Sequence, residues 1–248
     1  MIPKNGRPVT RDCDECPIRH RAVCSRCDTD ELFKLEEIKY YRRFDAGQTV
    51  VFSGDRMDFV GTLVSGIATL MQTMEDGRTQ MVGLLLPSDF VGRPGRNSAA
   101  YDVVAATDLE MCCFRKVPFE NLLERTPHIA QRLLEMSLDE LDAARDWMMV
   151  LGRKNAREKI ASLLSIVANR DASLNLNKLT GPITFEIPVG RRAMADYLGL
   201  AHETVSRQVT ALRKDGVITL EDKRIITIPD MSVLSEEAGF DTDDRKLV

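Results

Sequence analysis

Residues 191–216 read RRAMADYLGLAHETVSRQVTALRKDG, and this stretch decides how the C-terminal part of the chain folds. Residues 191–198 and 202–214 have the character of two helices, and the three residues between them begin with a glycine. Apolar residues occupy the positions at which two such helices pack against each other: Ala195, Leu198, Leu200, Val205 and Leu212. The stretch therefore predicts a helix-turn-helix.

The residues that follow predict a two-stranded wing, and the region around them is basic. Residues 217–220 and 224–228 are apolar enough for two strands, and the residues between them are polar. Residues 153–229 carry 13 Lys and Arg against 8 Asp and Glu, a net charge of +5, whereas the whole chain has a net charge of −4. A basic module within an acidic chain favours DNA as the partner over a protein partner or a purely structural winged helix.

In a helix-turn-helix, the N-terminal part of the second helix enters the major groove of DNA. Glu203, Ser206 and Arg207 share one face of that helix by their spacing. Arginine suits guanine, glutamate accepts a hydrogen bond from cytosine, and serine is short enough to serve either, so these three are the predicted base contacts. The basic residues predicted to contact phosphates are Arg191, Arg192, Arg213 and Lys214.

A long helix is predicted before this module. Thr126 is its N-cap, Pro127 its first helical residue and Gly152 its end. An apolar repeat of three and four favours a coiled-coil dimer over a helix packed only on its own domain. Asp146 near this seam would weaken the dimer by repulsion, although its spacing fits a solvated outer face equally well. The predicted dimerisation residues are Leu134, Leu138, Leu141, Asp146, Met148 and Leu151.

Between residues 40 and 115, short apolar runs alternate with glycines, which predicts a small all-β barrel or roll. Asp76-Gly77 between two of these runs indicates a hairpin. The predicted strands are residues 49–52, 60–64, 67–71, 81–86 and 103–114. A helix is predicted at residues 30–38, another at 155–167, and a polar loop at 169–181.

Four of the six cysteines lie near the N-terminus, with the spacing C-x2-C-x7-C-x2-C. Pairs separated by two residues can turn both sulfur atoms toward one centre, and thiolates favour zinc or iron–sulfur. The other two cysteines are adjacent in a predicted strand. Neighbouring strand residues face opposite sides, so only one of this pair can be a ligand. The residues concerned are Cys13, Cys16, Cys24, Cys27, Cys112 and Cys113.

The composition is that of an ordinary globular protein of 248 residues. Without a long apolar run or a signal segment we expect a cytoplasmic protein with no membrane partner, and we expect metal or redox use of the cysteines over disulfides. The predicted fold class is α+β. Its four segments are a metal-binding N-terminal segment (1–28), a β-roll sensor domain (29–125), a dimerisation helix (126–152) and a winged helix-turn-helix domain (153–248).

The sequences ADYLGL at 195–200 and ETVSR at 203–207 resemble the helix-turn-helix of the cyclic-AMP receptor/FNR family. The order of roll (a double-stranded β-helix), long helix and winged helix is also similar to that family. With its N-terminal cysteines the chain resembles the FNR branch, most closely its FnrL-type proteins. The members of this branch are oxygen sensors with a [4Fe–4S] cluster.

The resemblance implies a homodimeric activator that binds a double-stranded operator with two half-sites, contacts RNA polymerase and is inactivated by oxygen. Three N-terminal cysteines and one central cysteine hold the cluster in that branch. The matching positions, with Cys112 preferred over Cys113 on strand register, are Cys13, Cys16, Cys24 and Cys112. Cys27 is left without a role in this assignment.

The resemblance also argues against cyclic nucleotide. Nucleotide-binding members resemble one another in a Gly-Glu pair and an Arg-Ser/Thr pair, where this chain has Gly92-Arg93 and Ala99-Ala100. A phosphate in an apolar pocket without a cation is costly.

Three alternatives stay open. The four N-terminal cysteines could form a structural zinc site, or the cysteines could act as a metal-free thiol switch. An enzyme is disfavoured because no catalytic set is visible and the three histidines are scattered: His20, His128 and His202.

Overall fold

The computed structural model describes residues 12–174, 181–187, 189–221 and 225–239. These residues belong to two compact units, which divide between Leu138 and Asp139. Among the described residues, no helix combines the length and the apolar character that crossing a membrane requires.

The first unit is a roll of two four-stranded antiparallel sheets with strand orders β1-β8-β3-β6 and β2-β7-β4-β5. One helix precedes the strands and another follows them. The elements are α1 (Thr29–Ile38), β1 (Lys39–Phe44), β2 (Thr49–Val51), β3 (Phe59–Ser65), β4 (Ala68–Thr73), β5 (Thr79–Leu85), β6 (Phe90–Val91), β7 (Asp102–Ala105), β8 (Leu109–Arg115) and α2 (Lys116–Arg125).

The roll encloses one apolar core, and a second core lies on the outer face of the first sheet. Odd-numbered residues of β3 and β8, such as Leu63 and Met111, face the interior of the roll. Even-numbered residues, such as Val60 and Phe114, pack against α1, α2 and the N-terminal segment. This alternation follows from the period of two along a strand. It decides which side chains of β8 can meet the N-terminal cysteines.

The predicted roll and its hairpin at Asp76-Gly77 are confirmed, because β4 and β5 pair on either side of that turn. The single strand predicted at residues 103–114 is wrong: it is two strands, β7 and β8. The Thr107 side chain accepts a hydrogen bond from the backbone N–H of Ile67, which holds the intervening turn. Strand β1 was not predicted, because its residues KYYRRF are all charged or aromatic and form no short apolar run.

The predicted helix at residues 30–38 is confirmed as α1. Asp28 caps it by accepting a hydrogen bond from the backbone N–H of Glu31, and Glu31 accepts one from the backbone of Asp28 in return. The predicted long helix is confirmed as α3 (Pro127–Arg153), which runs slightly beyond Gly152.

The second unit contains the end of α3, the largely buried helix α4, the helix-turn-helix and a small sheet of order β10-β11-β9. Gly199 adopts φ +62°, a left-handed conformation that ends the first helix of the motif. Both helices of the motif have the predicted bounds. The elements are α4 (Ala156–Leu174), β9 (Ile183–Glu186), α5 (Arg191–Leu198), α6 (His202–Lys214), β10 (Thr219–Glu221), β11 (Ile225–Ile228) and α7 (Met231–Glu237).

The polar loop predicted from residue 169 is wrong up to Leu174, because α4 continues there. Ala168 and Ala172 extend the buried face of the helix, so packing stabilises a segment whose sequence is otherwise polar. Residues 175–180 of that prediction, and residues 222–224 between the two wing strands, lie outside the described residues. A short helix, α7, was also missed in the acidic segment after Asp230.

Candidate cysteine centre and nucleic-acid interface

Adjacent cysteines on β8 point to opposite sides of the sheet. Cys113 is fully buried inside the roll, in the core that contains Phe59 and Met111. A Cβ atom on Gly61, its partner on β3, would lie 3.3 Å from the Cys113 sulfur and 2.9 Å from the Cys112 carbonyl oxygen. Cys113 is therefore enclosed at a position where the opposite residue has no side chain.

Cys112 faces the other way, into the core shared with the N-terminal segment. Cys13 and Cys24 pack against the same core, which includes Phe119. Burial raises the pKa of Cys112 well above its ordinary value, and Cys24, Cys13 and Cys16 raise it further. Cys112 therefore lies on the side of β8 that faces Cys13 and Cys24. We call Cys13, Cys16, Cys24 and Cys112 the cysteine centre.

The N-terminal segment reaches this position through a series of tight turns. The backbone N–H of Cys16 donates to the Cys13 carbonyl at 3.4 Å, and that of Cys27 donates to the Cys24 carbonyl at 3.2 Å. Between these turns, Ile18 and Val23 are buried and fix the segment to the unit. The sequence predicted the turns from the C-x2-C spacing but not the apolar residues that anchor them.

Cys27 is buried in the same core, which also includes Val23 and Leu35, but the charged groups near it differ from those at the cysteine centre. Burial, followed by Cys24, Glu31 and Asp28, raises its pKa to about 12. A thiol beside two carboxylates is a poor place for further negative charge, so these neighbours make Cys27 a weaker candidate ligand than Cys24.

A lysine that the sequence did not single out contacts Cys13. Lys39 Nζ donates to the Cys13 sulfur at 3.0 Å and to Glu36 Oε1 at 2.9 Å. Glu36 Oε1 also accepts the backbone N–H of Cys13 at 2.9 Å. The Lys39 side chain is only 8% exposed. Burial raises the pKa of the Cys13 thiol, and Lys39 opposes that rise, because a nearby cation favours the deprotonated form that binds metal.

The donor set bears on the kind of metal. Four thiolates are the ligands that a four-cysteine zinc site and a [4Fe–4S] cluster both take. In the part of the chain that the structure describes, Asp28, Glu31 and His128 form a separate group of potential ligands, whose donor atoms lie within 4.8 Å of one another. By their chemistry, the thiols of the cysteine centre fit either a cluster or a zinc ion.

The face of α6 that carries the predicted base contacts is accessible to solvent. Glu203 and Arg207 are exposed, Ser206 is partly exposed, and the opposite face of the helix buries Val205 and Val209. The predicted phosphate contacts differ among themselves. Arg192, Arg213 and Lys214 are exposed, whereas Arg191 is half-buried and its Nη1 lies 3.4 Å from the Met194 sulfur.

Large apolar side chains are exposed along α3. Four of them belong to the predicted seam: Leu134 (59% exposed), Leu138 (51%), Leu141 (45%) and Met148 (72%). Leu151 is partly exposed. Asp146 is also exposed, but at 100° per residue it lies about 140° around the helix from Leu141 and about 160° from Met148. This offset favours the outer-face alternative for Asp146.

Two further features of the second unit were not predicted. Trp147 of α3 stacks on Tyr197 of α5, with ring centroids 4.5 Å apart and planes at 17°. Arg157 of α4 binds Glu237 through Nε and Nη2 at 2.5 and 2.8 Å, and Asp215 through Nη1 at 2.7 Å. The single tryptophan and the charges are visible in the sequence, but nothing in their spacing indicates that they meet.

Arg93 and Ala99 are among the residues at the expected nucleotide-binding positions. Arg93 is exposed, and Ala99 is buried and offers no polar atom. The loop before Ala99 is held from below by Lys116, whose Nζ donates to the Arg96 carbonyl and, at 2.9 Å, to Asn97 Oδ1.

Residues 41–126 match the family model of the cyclic nucleotide-binding domain, and residues 158–237 match that of the Crp-like helix-turn-helix domain. The chain is 68% identical over 235 residues to the transcriptional activator protein FnrL of Cereibacter sphaeroides, covering 95% of each chain. It is 37% identical to the nitrogen fixation regulation protein FixK of Bradyrhizobium diazoefficiens, covering 89% of this chain and 90% of that protein. The solved structure of FixK2 from Bradyrhizobium japonicum superposes with a TM-score of 0.72 at 25% identity, covering 83% of this chain and all of that one.

Proposed function

Because this chain belongs to the cyclic-AMP receptor/FNR family of transcription regulators, we propose that it is an activator whose DNA binding depends on a [4Fe–4S] cluster and responds to oxygen. The expected α+β fold and the expectation of a regulator in place of an enzyme are confirmed by these relatives. Oxygen response and the cluster are our proposals.

One observation supports the proposal: thiols of the N-terminal segment pack against the same core as a thiol from the middle of a β strand. Cys13, Cys16 and Cys24 belong to a short turn-rich segment, whereas Cys112 belongs to β8 of the roll. Thiols this buried are protonated at neutral pH, and burial with Cys16 and Cys13 raises the pKa of Cys24 to about 12. Such a site has to exchange its protons for metal. The bound cluster would supply sensitivity to oxygen.

The chain's own residues would tie the N-terminal segment to the roll. Ligation at both Cys13 and Cys112 makes the position of the segment depend on an intact centre. Val23 of the segment also packs in the same core as Phe119. The centre would add to this packing, and its loss would loosen the segment.

The second unit would bind the operator. Base edges would be contacted by Glu203, Ser206 and Arg207. Phosphates would be contacted by Arg192, Arg213 and Lys214. Arg191 is the weakest of the proposed phosphate contacts, since its guanidinium is half-buried. A homodimer would place two recognition helices on half-sites one DNA turn apart, about 34 Å. We also propose RNA polymerase as partner, as befits an activator, and no cyclic nucleotide as ligand.

The exposed apolar residues of α3 support dimerisation. Leu134, Leu138, Leu141 and Met148 are too large and too exposed to be left in water without cost. We propose that oxygen acts through the monomer–dimer equilibrium, because a dimer engages both half-sites at once and a monomer loses most of that affinity.

The test uses the full chain purified without oxygen and reconstituted with iron and sulfide. We expect about four iron and four sulfide per chain, visible absorbance, a dimer in sedimentation and operator binding. Exposure to air should remove the iron and sulfide, the visible absorbance, the dimer and the operator binding. Colourless protein that retains zinc in place of iron would contradict the cluster. Protein that stays dimeric in air but releases DNA would contradict the monomer–dimer step and would favour reorientation within a constant dimer.

A further inference from the structure

One buried hydroxyl group next to the cysteine centre has no partner. Thr62 of β3 is 2% exposed, and its Oγ1 forms no hydrogen bond within the part of the chain that the structure describes. A hydroxyl removed from water without a compensating hydrogen bond destabilises the fold. Such groups are rare in native proteins and call for an explanation.

The strand register places Thr62 directly beside Cys112. In the first sheet, one row of partners crosses four strands: Tyr41 of β1, Cys112 of β8, Thr62 of β3 and Phe90 of β6. Directly opposed residues of antiparallel strands share a face, with Cβ atoms about 4.5–5.5 Å apart. Thr62 therefore points to the same side of the sheet as Cys112.

The side chains that share this face of the sheet are mostly apolar and cannot accept a hydrogen bond from Thr62. Val60 and Phe114 share its face of the sheet, and the ring of Phe119 lies 5.8 Å from that of Phe90 and 5.2 Å from that of Phe114. These side chains are apolar and cannot accept a hydrogen bond. The Tyr41 hydroxyl, at the other end of the row, has interactions of its own. Thr62 is thus a buried donor paired across the strands with Cys112, a member of the cysteine centre.

We infer that Thr62 donates a hydrogen bond to a sulfur atom at Cys112 when the cysteine centre is loaded. The acceptor is the Cys112 thiolate or a sulfide next to it. This inference rests on the proposed function, because only the loaded centre places a negatively charged sulfur here. Hydrogen bonds to ligating groups hold them in position and stabilise their charge in apolar surroundings. Thr62 is a positioning residue for the centre.

Two substitutions separate the hydroxyl from the shape of the side chain. Thr62→Val keeps the volume and the β-branching that suit a strand but removes the donor. Thr62→Ser keeps the donor and removes a methyl group. In metal-free protein, Thr62→Val should unfold at the same temperature as wild type or a higher one, because it removes the unpaired group. Thr62→Ser should unfold at a lower temperature, since it leaves a small cavity.

The loaded proteins give the decisive measurements. We expect Thr62→Val to release iron to a chelator about fivefold faster than wild type under anaerobic conditions, the ratio that corresponds to one ordinary hydrogen bond. Thr62→Ser should release it at nearly the wild-type rate. Resonance Raman spectra in H₂O and D₂O should show a deuterium shift of the iron–sulfur bands that Thr62→Val reduces and Thr62→Ser keeps.

The outcomes distinguish this inference from the function on which it rests. Thr62→Val with the wild-type release rate and deuterium shift would overturn the inference alone. Thr62→Val that lowers the stability of metal-free protein would assign the hydroxyl a structural role and also overturn it. Wild-type protein that takes up no iron and sulfide would overturn both the proposed function and this inference.

Discussion

Lys39 Nζ lies 3.0 Å from the sulfur of Cys13, although 26 residues separate them in the chain. Because Lys39 is the cation next to a proposed ligand thiol, Lys39→Met should weaken retention of metal, by about tenfold if one charged hydrogen bond is lost. The measurement is iron and sulfide per chain after reconstitution and dialysis. Arg43→Met is the control, since Arg43 lies on the same face of β1 but is 72% exposed and pairs with Glu110. Equal losses in both variants would contradict a specific role for Lys39.

The two faces of β8 predict opposite results for adjacent cysteines. Cys112→Ser should lose the visible absorbance of the reconstituted protein, whereas Cys113→Ala should keep it with some loss of stability from the roll core. Likewise, Cys24→Ser should lose the absorbance and Cys27→Ser should keep it. Absorbance together with iron content checks all four. If Cys27→Ser is colourless and Cys24→Ser is not, the proposed ligand set is wrong.

The alternation of side chains along β8 shows which part of the cysteine centre could be predicted from the sequence. It predicted that only one of Cys112 and Cys113 could be a ligand, since strand residues alternate. Which face is which depends on the packing of α1 and the N-terminal segment, and local sequence does not encode that. Lys39 and Thr62 were missed for the same reason: their neighbours at the cysteine centre come from distant parts of the chain. The helix-turn-helix was predicted with its correct bounds because its turn, its glycine and its apolar positions are all local.

Arg207 and Arg213 should differ in what they contribute to DNA binding. Arg207 is exposed on the recognition face of α6, so Arg207→Ala should cost about 1–3 kcal/mol at the preferred operator and relax base preference there. Arg213→Ala should weaken all sequences alike and lower the salt slope by about one. Binding to operator variants at several salt concentrations distinguishes the two. Identical behaviour of the two variants would contradict the assignment.

The exposed stripe of α3 and its outer face should respond differently to substitution. Leu141→Asp puts a charge into the proposed seam and should shift the loaded protein from dimer to monomer in sedimentation. Asp146→Ala should change the dimer only slightly, because Asp146 lies well around the helix from Leu141. A variant Asp146→Ala that stays dimeric in air, where wild type dissociates, would show instead that this carboxylate repels its counterpart across the seam.

The ion pairs of Arg157 predict how acid affects the second unit. Hydrogen bonds from Arg157 hold the pKa of Glu237 below its ordinary value. This pairing therefore stabilises the folded state above the unfolded-state pKa of glutamate, and the contribution is lost as the pH falls through the lowered value. Glu237→Gln should cost about 1 kcal/mol of unfolding free energy at neutral pH and little in acid. Urea unfolding at both pH values tests this, with the exposed neighbour Glu236→Gln as control.

The stacking of Trp147 on Tyr197 gives the chain a built-in optical probe. This is the only tryptophan in the sequence, so light absorbed at the red edge of the protein band is emitted from one place. That place is where α3 meets the first helix of the helix-turn-helix. Any rearrangement that separates the two rings changes the polarity and quenching around the indole. The packing of the DNA-binding motif on α3 can therefore be followed in real time, in unlabelled wild-type protein, by its fluorescence alone.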